Sequence, residues 1–333
     1  MLVEEVGLGV LFLLAFTNGA NDVGKSIATV VESSGGRSTR RALVWGGVFT
    51  GLGSLIAVLV AEQLLSVFTS TLLTPTPSDD FVLAVLLGTT AWVLGATLMR
   101  LPVSLTHAII GAILFETAYL FGASHLAWAT IGLRVLLPLA GGPFAALFLT
   151  YLLHRRKRNK SPPPPEAETP GHTGKVAGFG HWISAAATAL ARGINDAPKM
   201  VALGVILLPA GLQTKPWIPF LFVALAVFLG SIGWGRRVTR TLVGRLVPMA
   251  RDRHVTAGVT TAALVSLGAI LGAPLSTTHV ASGATTGIGG GRKEHVRSTL
   301  KGFLLAWFVT LPAAGLLAIG ASFAVSWLQP YLG

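Results

Sequence analysis

The sequence predicts an all-α polytopic membrane protein made of two inverted-topology repeats of about five membrane segments each, with broken or short helices at the centre. Three observations predict it: charge is scarce, one pair of motifs occurs in each half, and the basic loops exchange places between the halves.

Of 333 residues, 52% are hydrophobic and 11% charged, against roughly 25% charged in an ordinary soluble domain. Mean hydropathy is +0.69, and several apolar stretches reach the ~20 residues a helix needs to cross a ~30 Å hydrocarbon core. The 40 glycines and 18 prolines fit membrane helices, which tolerate both and pack closely through small residues. With no cysteine, disulfides, thiolate metal sites and cysteine nucleophiles are excluded. The net charge of +12 comes from Lys and Arg lying mostly in short loops between apolar spans, a positive-inside pattern rather than a nucleic-acid patch.

In chain order, the first residues, MLVEEVGLGVLFLLAF, have an acidic start and no small-residue cleavage site, and read as the first membrane helix rather than a signal peptide. Membrane segments are expected over 6–32, 41–60, 81–99, 107–121 and 127–153, then 178–208, 217–234, 254–272, 276–290 and 299–328. Between the two sets, the Pro-rich basic stretch 154–177 reads as a linker, so that 1–153 and 178–333 form the two membrane repeats.

The halves align on two motifs. Gly19-Ala20-Asn21-Asp22-Val23-Gly24-Lys25 matches Gly193-Ile194-Asn195-Asp196-Ala197-Pro198-Lys199, and Pro102-Val103-Ser104-Leu105-Thr106-His107 matches Pro274-Leu275-Ser276-Thr277-Thr278-His279. Asp and His stand 85 residues apart in the first half and 83 in the second.

Loop charges set the relative orientation. Loop 33–41 carries Arg37, Arg40 and Arg41, whereas its counterpart 209–216 carries only Lys215. Loop 61–80 has no Lys or Arg, but 235–253 has Arg236, Arg237, Arg240, Arg245, Arg251 and Arg253; likewise 118–126 has none, while 291–297 has Arg292, Lys293 and Arg297. With Lys and Arg inside, the halves have opposite topology, as an odd number of spans per repeat requires and as secondary transporters often show. All five segments of a half are expected to span. The linker, with five Lys/Arg in 155–160, is then cytoplasmic and both termini lie outside; compact loops favour a bacterial inner (plasma) membrane.

An ionisable residue at membrane depth is costly and marks function by default. Asp22 and Asp196 are two such residues in matching positions, each behind a glycine (Gly19, Gly193) expected to break its helix, with Pro198 reinforcing the second break. The plainer reading is an i,i+3 pair, Asp22 with Lys25 and Asp196 with Lys199, and the two readings can coexist. The Pro-x-Ser-x-Thr-His elements follow long helices and open short ones, which puts Ser104, Thr106, Ser276 and Thr278 near helix N-termini. There, free N–H groups, the positive dipole end and hydroxyls suit an anion, although simple N-capping would use the same residues. His107 and His279 could orient the hydroxyls, carry protons or fill the helix starts. Arg134 and Glu116 are unpaired by the symmetry and carry weaker expectations. No enzyme is expected, because no metal-binding His spacing and no nucleophile with its base stands out.

Together, the Gly-Ala-Asn-Asp-Val at 19–23, the Gly-x-Asn-Asp at 193–196 and the two Pro-x-Ser-x-Thr-His elements resemble the PiT inorganic phosphate transporter family across nearly the whole chain. The resemblance implies symport of phosphate with Na+ or H+ and a substrate site at Asn21, Asp22, Ser104, Thr106, Asn195, Asp196, Ser276 and Thr278. It implies no cofactor, a lipid bilayer as partner and no nucleic acid, and it leaves a homodimer open. The sequence departs from the family where Lys25 and Lys199 replace a common Asn. In Na+-coupled members that region helps hold sodium at Asn21, Asp22, Asn195 and Asp196. An ammonium there favours H+ coupling, with Asp22, Lys25, His107, Asp196, Lys199 and His279 balancing charge. A permease for sulfate or another tetrahedral oxyanion, and a passive anion channel, are the alternatives.

Overall fold

Nearly every apolar run in the sequence folds as a helix, and glycine, proline or a capping serine marks most of the ends. The computed structural model describes residues 2–72, 77–158, 178–207, 215–244, 251–289 and 293–332. Most of the linker and of loop 209–216, together with Arg245 and Arg292, lies outside the described residues.

The first half contains α1 (Leu2–Ser33), α2 (Thr39–Val60), the short α3 (Glu62–Ser66), α4 (Asp79–Leu98), α5 (Leu105–Phe121), α6 (Trp128–Ile131) and α7 (Leu137–Arg158). The second contains α8 (Phe179–Gly204), α9 (Trp217–Gly233), α10 (Gly235–Val243), α11 (Arg251–Ile270), α12 (Thr277–Ile288), α13 (Lys293–Leu305) and α14 (Leu311–Leu332). Among the described residues there is no strand. Ser78 caps α4 by accepting from the Phe81 N–H at 3.3 Å, and Asp79 and Asp80 complement the dipole in its first turn.

Among the described residues, five helical runs are long and apolar enough to cross a membrane: Glu4–Ser33, Thr39–Val60, Asp79–Leu98, Trp128–Arg156 and Thr299–Trp327. The pair α9 and α10, bent by 61°, adds a sixth if counted as one span. The protein is thus a multi-pass helical membrane protein. α8 is absent from this group because it carries Arg192, Asp196 and Lys199, all of which are nevertheless buried.

Three sequence expectations need correction. First, α1 and α8 run unbroken through Gly19, Gly193 and Pro198. Glycine costs a helix only about 1 kcal/mol, and here both glycines serve close packing: a Cβ on Gly19 would strike the Val227 backbone, and one on Gly193 the Thr50 backbone. The breaks fall instead at 99–104 and 271–276, between α4 and α5 and between α11 and α12. Second, the expected loop 235–253 begins as helix α10, because Val238 and Thr239 are buried while Arg236, Arg237 and Arg240 face outward, an amphipathic pattern that a charge count alone reads as loop. Third, segment 276–290 forms the 12-residue α12, roughly 18 Å long, too short to cross a ~30 Å core. It folds back on α11, as α5 folds back on α4, where the rings of Phe81 and Phe121 lie 6.3 Å apart at the open end of the hairpin.

The halves interlock rather than sit side by side. α1 packs on α9, with Gly19 on Val227 and Gly230 on Phe16; α8 packs on α2 in the same way, with Gly193 on Thr50 and Gly53 on Leu190. Each short helix docks on the last helix of the other half, α5 on α14 through Gly111 against Leu311 and α12 on α7 through Gly283 against Pro143. α1 and α8 run antiparallel, since Gly7 meets Leu207 and Gly204 meets Leu11. The main apolar core draws on both halves, from Leu11 and Leu86 to Val201 and Val223.

Candidate functional site

The two hairpin turns meet at the centre of the molecule, where Ser104 Oγ and Ser276 Oγ are 2.8 Å apart. Proline at 102 and 274 keeps each turn extended before its short helix begins. Both serines sit at helix N-caps; Ser104 accepts from the His107 N–H at 3.4 Å.

Asn21 and Asn195, deep in α1 and α8, hold the turns. Asn21 Nδ2 donates to Thr97 Oγ1 at 3.0 Å and to the Leu101 carbonyl at 2.9 Å, while Asn21 Oδ1 accepts from the Val103 N–H at 3.0 Å. Asn195 Nδ2 donates to the Leu275 carbonyl at 3.0 Å and to Asp196 Oδ1 at 2.9 Å, and its Oδ1 has no protein partner.

Each aspartate pairs with the lysine one turn on. Lys25 Nζ donates to Asp22 Oδ1 at 2.5 Å and to the Val103 carbonyl at 2.6 Å. Lys199 Nζ donates to Thr106 Oγ1 at 2.7 Å, the Leu275 carbonyl at 3.2 Å and Asp196 Oδ1 at 3.4 Å. Both ammonium groups therefore occupy all-oxygen cradles formed by a carboxylate and a turn carbonyl, and both lysine side chains are at most 3% exposed. The remaining hydroxyls cross between halves, Thr106 to the Leu275 carbonyl at 3.2 Å and Thr278 to the Val103 carbonyl at 3.5 Å.

The histidines back the serines. His107 Nδ1 lies 2.9 Å from Ser104 Oγ, His279 Nδ1 lies 2.7 Å from Ser276 Oγ, and the two rings are 4.7 Å apart. A cavity of about 130 Å³ beside His279 is lined by Phe303, Trp307 and other apolar side chains, so it does not suit an anion.

All twelve motif residues singled out from the sequence thus converge on one buried centre. Arg134 does not join them; it is exposed on the apolar flank. Glu116 is buried, but it lies nine residues beyond His107 on α5, roughly 13 Å along the axis. Sequence reasoning missed Arg192 and Asn18, the residues just before Gly193 and Gly19, both buried on the faces of α8 and α1 that carry the motifs. A charge at membrane depth four residues before Asp196 was the available signal.

The profile of the Phosphate transporter family matches residues 18–318, and with them both Asn-Asp motifs and both turns. The chain belongs to this family. A "Probable low-affinity inorganic phosphate transporter" of Mycobacterium bovis is 31% identical over 96% of this chain and 76% of its own length. Proteins of the same description from Rhizobium meliloti and Bacillus subtilis are 29% and 28% identical, covering 97% and 93% of this chain and 96% and 93% of their own lengths. A solved structure titled "The sodium-dependent phosphate transporter" shares the fold with a TM-score of 0.82 at 18% identity, covering 98% of this chain and 100% of that one. Membership in the Phosphate transporter family makes the buried centre part of a transport protein, not of an enzyme.

Proposed function

We propose that the chain imports inorganic phosphate across the plasma membrane by proton-coupled symport. Its substrate site comprises Asn21, Asp22, Ser104 and Thr106 with Asn195, Asp196, Ser276 and Thr278. One observation carries this reading: the two Asp–Lys pairs and the two turns bearing Ser104 and Ser276 converge at a single buried point. Helix N-termini and hydroxyls suit an oxyanion there. A carboxylate suits phosphate over sulfate, because phosphate near neutral pH keeps a P–OH that can donate to Asp22 or Asp196, whereas sulfate has none and is repelled.

Protons are favoured over sodium because the chain's own cations hold the oxygens that Na+ would need. A sodium ion at Asp22 would have to displace an ammonium held by a carboxylate and the Val103 carbonyl, and one at Asp196 an ammonium held by three oxygens. In the proton-coupled cycle Asp22 and Asp196 are the proton-linked groups, Lys25 and Lys199 are fixed countercharges, and His107 and His279 steady the serines. That the structural neighbour is called sodium-dependent describes that protein.

Alternating access between inverted halves, 1–153 and 178–333, would expose the site to each side in turn. The antiparallel course of α1 and α8 supports the inversion. If each hairpin enters the membrane without crossing it, three crossing helices remain per half, still an odd number. The basic loops then place the linker 154–177 in the cytoplasm and both termini outside. Across the centre the two hairpins share three hydroxyl hydrogen bonds, Ser104 with Ser276, Thr106 to the Leu275 carbonyl and Thr278 to the Val103 carbonyl, each worth about 1 kcal/mol, contacts that an oxyanion bound between the turns could replace.

Labelled phosphate uptake into proteoliposomes, with Na+ and pH gradients imposed separately and sulfate as competitor, tests the proposal. Uphill accumulation driven by an inward proton gradient is expected, and Asp196→Asn should weaken uptake while admitting sulfate. Uptake that requires inward Na+ and ignores pH would overturn the coupling; equilibration without accumulation would indicate a channel.

A further inference from the structure

Arg192 has no role in the reading above. It is wholly buried, and its guanidinium makes one hydrogen bond, from Nη2 to Thr50 Oγ1 at 2.7 Å; Nε and Nη1 have no partner in the protein. Burying an unpaired guanidinium N–H in a membrane protein is expensive, so such groups are expected to meet a ligand or water.

The neighbours of Arg192 are unsatisfied in the complementary sense. Arg192 precedes Asn195 and Asp196 by three and four residues, so the three side chains share one face of α8. Asn195 Oδ1 and Asp196 Oδ2 are buried acceptors without partners. Unfilled donors and unfilled acceptors thus coexist beside one another. The ligand that answers both is an oxyanion that also carries hydroxyls.

The charges point the same way. Lys25, Lys199 and Arg192 against Asp22 and Asp196 leave the buried cluster with one surplus positive charge. A monovalent anion cancels it, and a neutral assembly is the cheapest to hold in a low-dielectric centre.

We propose that Arg192 is a substrate ligand that binds the oxygens of a singly charged, protonated tetrahedral oxyanion, dihydrogen phosphate, while Asn195 Oδ1 and Asp196 Oδ2 accept its hydroxyl protons. This rests on the phosphate reading for the identity of the anion but not for the role of Arg192. Sulfate would satisfy the guanidinium and leave both acceptors empty.

Equilibrium binding of inorganic phosphate to the purified protein in nanodiscs, measured below and above the second ionisation of phosphate, tests this. Thermal unfolding of the same samples reports folding. Arg192→Gln is expected to lower affinity at least about tenfold, the scale of losing hydrogen bonds to a charged group. Because the bound species is the monoanion, wild-type affinity should fall above the ionisation as dihydrogen phosphate is depleted, and the fold-loss in Arg192→Gln should be the same on both sides of it; tighter wild-type binding of the dianion would overturn the assignment of the monoanion. Arg192→Lys should recover part of the affinity, having the charge without the fork. If Arg192 only clamps α8 to α2, or only holds water, Arg192→Gln will lower the unfolding temperature as Thr50→Ala does and leave phosphate affinity unchanged, which overturns the proposal. Should Arg192→Gln not fold, Arg192→Lys decides: wild-type affinity overturns the proposal, and weaker binding at an unchanged unfolding temperature supports it. If the wild type binds arsenate or sulfate but no phosphate, the substrate reading fails; loss of that binding in Arg192→Gln would still support the guanidinium as an anion ligand, and its retention would refute it.

Discussion

The two halves carry the same motifs but use them differently. In the first, Asn21 gives both ends of its amide to the turn, and Lys25 sits tightly on Asp22. In the second, Asn195 holds its turn through Nδ2 alone, Lys199 lies 3.4 Å from Asp196 and reaches across to Thr106, and Asn195 Oδ1 and Asp196 Oδ2 stay unpaired. A duplicated motif has thus diverged into a clamp and an open half. The lesson is that internal symmetry brings matching residues to one centre without saying how each copy is engaged there.

The largest expected difference lies at the aspartates. Asp22→Asn removes the carboxylate from an ammonium with only the Val103 carbonyl left to hold it, and breaking a buried pair in this way costs about 3–5 kcal/mol. Asp196→Asn leaves Lys199 two further oxygens, Thr106 Oγ1 and the Leu275 carbonyl, so its loss should be nearer 1–3 kcal/mol. Chemical unfolding in detergent micelles compares them. Equal losses would show that the two pairs are equivalent despite their geometry.

A smaller difference is expected at the asparagines. Asn21→Ala deletes three hydrogen bonds to the first hairpin, roughly 2–3 kcal/mol at about 1 kcal/mol each. Asn195→Ala deletes one bond to the second turn and one to its own neighbour, for roughly 1–2 kcal/mol. Hydrogen exchange at residues 99–104 and 271–276 should then rise more in the first variant than in the second. The reverse order would make the second half the clamp.

These comparisons also show what the sequence could reveal. Asn21, Asp22, Ser104, Thr106 and their partners were legible because a polar motif repeated inside apolar segments has few explanations besides a shared centre. The site of helix breakage was not: a glycine that lets a backbone approach, as Gly19 does for Val227, is the same residue as a glycine that kinks. That α12 is too short to cross was masked by the exchange of basic residues between loops 118–126 and 291–297, which reads as the mark of a spanning segment. Arg192 escaped because matching the halves rewards identity, and its counterpart is Asn18; the residue that distinguishes the halves is the one such a comparison discards. Arg134 drew notice as a charge in an apolar run, yet nothing in its spacing told lipid flank from centre.

The smallest expected effect concerns the turns themselves. α4 and α11 end alike, with Leu101 N–H donating to Ala96 O and Ala273 N–H donating to Gly268 O, each at 2.8 Å, across a residue in the left-handed region. That residue is Gly272 (φ 72°) in the second half but Arg100 (φ 62°) in the first. A side chain in this conformation costs about 1 kcal/mol, which glycine avoids. Arg100→Gly is therefore expected to stabilise the protein by about 1 kcal/mol, since Arg100 is exposed and the Leu101 carbonyl stays where Asn21 needs it. Gly272→Ala should destabilise by more than that amount, because its Cβ would also press on Gln63 at 3.1 Å. Thermal unfolding of the pair reads both signs, and phosphate uptake by Arg100→Gly should match the wild type. Destabilisation by Arg100→Gly would mean that the guanidinium holds the first turn in a way the second does without, and that the divergence of the halves reaches beyond the Asn-Asp motifs.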